Sequence, residues 1–433
     1  MNRFVLSFEL IDSPVLIVLA VITGLGVIAV TAWAPRRVVR TLVIGTAAGV
    51  AMYIAAHILE AMDLFQGPLP AGGATWAAMA VAAVAVGIVG ICRRPWGRRV
   101  VGALTVVTAL LAGAVGVNAS YGVTHNLAAI LGVQALDPAT LPPQDASAGD
   151  PATLYRSWEP PAGMPAKGSV SALTGSTRIP TGQYAARDAS LYLPPAAQVE
   201  NPPALPLLVF MMGQPGSPDP TALAKALDAF AGAHEGLAPI AIVVDQLTAP
   251  ELDPACVDSA KFGAVSTYIN DLVPQWAEAN LNIVTDHRFW TIGGFSNGGS
   301  CAATYGAKYP DTWGQVLDVM GNEFPGSEHV SQTVSDVYDG DAGAFQAGKP
   351  AVIMAAAPAG TYSGHTAVFT WGSADTTFGP GQQANADAAT AAGFNVLTYV
   401  VPGAGHTGEA LDGSLAYAIP ALAPVLGLAA PPS

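Results

Sequence analysis

Charged side chains are scarce in this chain. Asp, Glu, Lys and Arg make up 11% of the 433 residues, against about 25% in an ordinary soluble domain. A disordered chain, which needs much charge and few apolar side chains, is excluded. Basic residues are the scarcer sign, with 17 Lys and Arg against 31 Asp and Glu and a net charge of −14. So acidic a chain repels a polyanion, and no nucleic-acid partner is expected. Cysteine is nearly absent, with three in all. There is no Cys-x-x-Cys, no His-Glu-x-x-His, no His cluster and no P-loop. Neither a metal site nor a cofactor is expected.

Hydrophobic residues, by contrast, make up 51% of the chain, and the charge is unevenly placed. Residues 1–120 carry 8 Lys and Arg and 4 Asp and Glu, a net of +4. Residues 121–433 carry 9 and 27, a net of −18. Two regions with different work are expected.

The first region, 1–120, holds four apolar runs: Pro14–Trp33, Thr41–Leu59, Ala74–Cys92 and Val100–Val117. Each has 18–20 residues and no Asp, Glu, Lys or Arg. Such lengths match a hydrocarbon core of about 30 Å, where only a helix satisfies its own backbone. A four-span membrane anchor is predicted. The connection after the first run holds Arg36, Arg37 and Arg40, and that after the third holds Arg93, Arg94, Arg98 and Arg99. The connection between the second and third has Glu60 and Asp63 instead. Positive connections stay in the cytoplasm, so the N-terminus and everything after about residue 118 are expected outside it. The first run is too long and too weakly preceded by basic residues for a signal peptide. Only His57 among ionisable residues lies inside a run, which favours an anchor over a conducting pathway.

Residues 121–166 are rich in Pro and Ala without periodicity, and read as an extended linker or an arm over the next domain. From residue 167 to 433, short apolar runs alternate with helical segments. Expected strands are Gly168–Thr174, Ala189–Leu193, Leu205–Met212, Ile240–Asp245, Phe289–Gly293, Gln315–Met320, Ala367–Trp371 and Val396–Val401. Expected helices are Pro220–Ala233, Ser259–Ala279, Gly298–Tyr309 and Gly381–Ala392. Runs such as LPLLVF, IAIVV and NVLTYVV suit strands buried on both faces of a mostly parallel sheet covered by helices.

The segment WTIGGFSNGGSCAATYGAKYP contains Gly294-x-Ser296-x-Gly298 between a predicted strand and a predicted helix. That pattern puts a serine on a strained strand-to-helix turn with its hydroxyl exposed. A serine needs a base, and the base an orienting acid. Downstream, AVFTWGSAD ends at Asp375, and the strand NVLTYVV leads into PGAGH and His406. The order Ser, acid, His is that of the α/β-hydrolases, with each residue at a strand's C-terminal end. Glu323, Asp318, Asp339 and Asp341 are rival acids, and His365 and His329 rival bases. An oxyanion needs two N–H donors. The Asn297 amide is one, and the Gln214 amide, in the turn VFMMGQPGSPD, the other; Pro215 has no N–H. Cys256 and Cys301 fall in the outer region, where a disulfide persists.

The Ser296 turn, GSAD and PGAGH together resemble the esterase D and mycolyltransferase-type branch of the α/β-hydrolase superfamily, over about residues 167–425. The resemblance implies an α/β-hydrolase fold and a serine esterase or acyltransferase outside the cytoplasmic membrane. The mycolyltransferases use a glutamate where this chain has Asp375. The expected substrate is an ester of a lipid or glycolipid in the cell envelope. A catalytically silent domain with a binding role is the rival reading.

Overall fold

The computed structural model describes residues 3–431 apart from 12, 34, 63–68, 132, 134 and 143–149. Asp63 and the middle of the 121–166 stretch therefore lie outside the described residues. The chain forms two compact units, Met1–Leu127 and Ala128–Ser433.

The first unit contains four long helices: α1 (Val15–Ala32), α2 (Val38–Ala61), α3 (Gly73–Ile91) and α4 (Trp96–Tyr121). All four are long and apolar enough to cross a membrane. Their contacts run through small residues. Gly45 and Gly49 of α2 face Ala82 and Ala78 of α3, and Gly102 of α4 lies against Gly87 and Gly90 of α3. Small side chains let helix backbones approach where lipid supplies no hydrophobic drive.

The second unit is built on an eight-stranded sheet. Its strands are β1 (Ser169–Leu173), β2 (Ala189–Leu193), β3 (Leu207–Met211), β4 (Ile240–Val244), β5 (Trp290–Phe295), β6 (Gln315–Val319), β7 (Thr366–Gly372) and β8 (Asn395–Val401). Their order is β1-β2-β4-β3-β5-β6-β7-β8. The β1–β2 and β2–β4 pairs are antiparallel, and all others parallel. Helix α5 (Thr221–Ala233) packs on α12 (Gly408–Leu422). Helices α7 (Asn297–Lys308), α10 (Pro350–Ala356) and α11 (Gly379–Ala392) pack together as another layer. Between β4 and β5 lies α6 (Val273–Asn280), and after β6 come α8 (Val330–Asp336) and α9 (Ala342–Ala347).

Strands β3 to β6 are buried throughout, as their unbroken apolar runs imply. NVLTYVV departs from that expectation. It forms β8 at the edge of the sheet, and Val400 is 38% exposed. Apolar content there reflects β-propensity on a half-covered strand.

From Asp137 onward, described residues of the Pro- and Ala-rich stretch bond to the second unit. Residue 139 donates its N–H to the Ala172 carbonyl, and Ala172 returns one to Asp137. Trp158 Nε1 donates to the Glu235 carbonyl at 2.9 Å.

Candidate active site

Ser296 stands between the end of β5 and the first residue of α7. Its φ of 55° and ψ of −120° are costly for a residue with a side chain. The Ser296 N–H, bonded to the Val319 carbonyl at 2.8 Å, helps hold that turn. A Cβ at Gly294 would strike the Gly298 backbone, and one at Gly298 the Met211 carbonyl. Both glycines are therefore required by space, as the motif implies.

His406 lies in the turn after β8. Its Nε2 is 2.9 Å from Ser296 Oγ and its Nδ1 2.9 Å from Asp375 Oδ2. Asp375 follows β7, and its side chain is 1% exposed. Its Oδ1 accepts the Phe378 N–H at 2.9 Å, fixing the carboxylate. The two loops are laced together. Ser373 N–H reaches the Val401 carbonyl, Ala374 N–H the Ala404 carbonyl, and Gly403 N–H the Ser373 hydroxyl. The rings of Phe295 and Phe378 lie 5.5 and 4.6 Å from the imidazole.

This strand order, with a strained serine after β5, a carboxylate after β7 and a histidine after β8, identifies the fold. The second unit has the α/β-hydrolase fold.

No protein-family model matches the chain. An uncharacterized protein of Corynebacterium glutamicum is 38% identical over 210 residues, which are 47% of this chain and 49% of that protein. The match thus spans about half the length of that relative. Among solved structures, a ferulic acid esterase aligns at 15% identity over 60% of this chain and 98% of its own, with a TM-score of 0.47. An S-formylglutathione hydrolase from Agrobacterium tumefaciens aligns at 14% identity over 57% and 91%, with a TM-score of 0.46. One from Staphylococcus aureus aligns at 15% over 59% and 98%, with a TM-score of 0.44. None of these likenesses bears on the substrate.

In the second unit the turn after β3 lies against the serine. A Cβ on Gly213 would stand 3.1 Å from that of Ser296. Gln214 follows, and Asn297 begins α7. Among the described residues neither backbone N–H donates to another backbone carbonyl. The Gln214 side chain is held by the Glu251 carbonyl at 3.0 Å.

Three further residues brace this corner, and no motif in the sequence marks them. Buried Gln246 donates its Nε2 to the Met212 carbonyl and to Asn297 Oδ1, so it ties the β3 turn to α7. Arg187 pairs with buried Asp245 at 2.7 Å, and its Nη1 donates to the Gly216 carbonyl at 2.8 Å. Asp253 faces Asn297; burial pushes its carboxyl up, against the Ala255 N–H, the Asn297 side chain and His329. The loop carrying Asp253 turns through Ala255 and Cys256 at φ of 50° and 58°. A disulfide from Cys256 to Cys301 fastens it to α7, across 45 residues of sequence.

The rival acids do not reach the imidazole. Asp318 is fully buried under α7, with Oδ1 accepting the Gly321 N–H at 2.9 Å, and burial lifts its pKa to about 7. Asp341 caps α9 through the Ala344 N–H. Glu323 and Asp339 are not among the described hydrogen-bond partners of His406. Of the rival bases, His365 sits before β7, at the opposite end of that strand from Asp375, and bonds the Pro310 carbonyl.

Proposed function

We propose that this chain is a membrane-anchored serine esterase or acyltransferase acting on an ester of the cell envelope, carried by a lipid or glycolipid. The observation that supports it is the unbroken relay from Ser296 through His406 to Asp375. Ser296 Oγ attacks the acyl carbon while His406 Nε2 takes its proton. Asp375 orients the ring and steadies the imidazolium. The Gln214 and Asn297 amides face the oxyanion. Collapse breaks the C–O bond of the ester, and His406 returns the proton to the departing alcohol. The acyl-enzyme then passes its acyl group to water or to a sugar hydroxyl, with His406 again taking and returning the proton.

The four apolar helices suit an anchor that keeps the domain near lipidic substrates. The arginines of the two charged connections and the Cys256–Cys301 disulfide favour a domain outside the cytoplasm.

A fluorophosphonate probe tests the reading. Labelling of the wild-type chain and not of Ser296→Ala is expected. A folded wild-type protein that takes no label overturns it.

A further inference from the structure

Arg98 is 3% exposed although it lies in the first turn of α4, at one end of the four-helix unit. Its Nε and Nη2 atoms are buried and bond nothing. A guanidinium stays charged and carries five N–H donors. Burying one without a partner is strongly unfavourable. A long basic side chain near the end of a span normally escapes by reaching water. Here protein closes off two of the three nitrogens.

No acid pairs with it among the described residues. Arg93 and Arg37 are close enough to add their repulsion. None of the three arginines is ion-paired among the described residues. The first 120 residues hold only four acids: Glu9 and Asp12 before α1, Glu60 in the last turn of α2, and Asp63 just after it. Glu9 bridges to Asn126, and Glu60 acts on Tyr121. Both described acids thus sit by the C-terminal end of α4, a helix length of roughly 35 Å from Arg98. The N-terminus of α4 adds a positive dipole at the arginine end.

We propose that Arg98, with Arg93 and Arg37, holds one phosphate group at this end of the unit, from an acidic phospholipid headgroup or from free phosphate. Nη1 of Arg98, the nitrogen that protein leaves open, can meet one phosphate oxygen, and Arg93 and Arg37 others. The lipid source rests on reading the four helices as membrane-spanning.

The full chain, stripped of lipid in a neutral detergent, gives the test. Phosphatidylglycerol is expected to raise its melting temperature, and phosphatidylcholine to leave it unchanged. An equal rise with inorganic phosphate alone assigns the site to the soluble ion. No rise with either anion overturns the proposal. Arg98→Met keeps the length and removes the charge. It is expected to fold, to be no less stable when stripped, and to bind the anion roughly ten- to a hundred-fold more weakly. Arg40→Gln, changing an arginine outside the cluster, is expected to respond as the wild type does. A full response in Arg98→Met, or a loss in Arg40→Gln instead, overturns the assignment. Release of the chain from membranes by alkaline carbonate tells against the membrane reading separately. Phosphate binding then still tests the arginines.

Discussion

Gln246 Nε2 lies 3.1 Å from Asn297 Oδ1, and the same nitrogen bonds the Met212 carbonyl. One buried amide therefore sets the spacing between the two N–H groups proposed to face the oxyanion. Gln246→Leu is expected to lower kcat on a soluble aryl ester by roughly 10- to 100-fold, less than the loss of a donor itself, and to leave KM nearly unchanged. Gln246→Asn, too short for both partners, should not restore it. A rise in KM at unchanged kcat contradicts this role.

For the acid, Asp375→Asn should reduce turnover by about 10⁴ while the fold survives. Glu323→Gln should stay within a few-fold of wild type. Steady-state rates with the same ester decide, and the reverse ranking reassigns the acid.

Asp318 titrates for another reason. Its Oδ2 and the Gln382 Oε1 are both buried and lack a hydrogen-bond partner. With its pKa near 7 in the fold and near 3.8 when unfolded, the native state holds more protons between those values. Stability from this group is therefore greatest below pH 3.8 and is lost as pH rises toward 7. Asp318→Asn keeps the shape and removes the charge that burial penalises. It should raise the melting temperature most at pH 8, less at pH 5, and little below pH 3.8.

Cys256→Ala with Cys301→Ala removes a closure of 45 residues, for which chain entropy gives about 4 kcal/mol. Chemical denaturation should show a loss of roughly 2–4 kcal/mol. Activity should fall further than stability alone accounts for, because the freed loop carries Asp253 and Glu251, which bear on Asn297 and Gln214.

A periplasm-active reporter fused after residue 130 should be active, and one fused in the Arg93–Arg99 connection silent. The opposite pattern inverts the proposed topology.

Much of this architecture is legible in the sequence because burial writes itself into composition. LPLLVF and IAIVV read as central strands, and Ser296, Asp375 and His406 stand at strand ends in a known order. Helix α12 was harder to see because Gly408, Gly413 and Pro420 look like breaks, yet its buried face on α5 overrides them. Helices α8 to α10 have six or seven residues each, too short for a period to show. Gln246, Arg187 and Asp253 escape because their work is to connect segments distant in sequence. A polar residue after an apolar strand carries no local sign of what it will touch.

Helix α7 has a consequence for how such a domain can change its substrate. Every residue from Asn297 to Ala307 is buried. Cβ atoms at Gly298, Gly299 and Gly306 would collide with Met211, Asp318 and Val316. Random mutagenesis here should yield mostly unfolded or inactive protein. Variants with a new acyl or acceptor preference should instead map to residues 322–356, after β6, where short helices with exposed faces tolerate new side chains. The serine's platform is closed to adaptation, and any shift in the proposed selectivity is expected from the segment after β6.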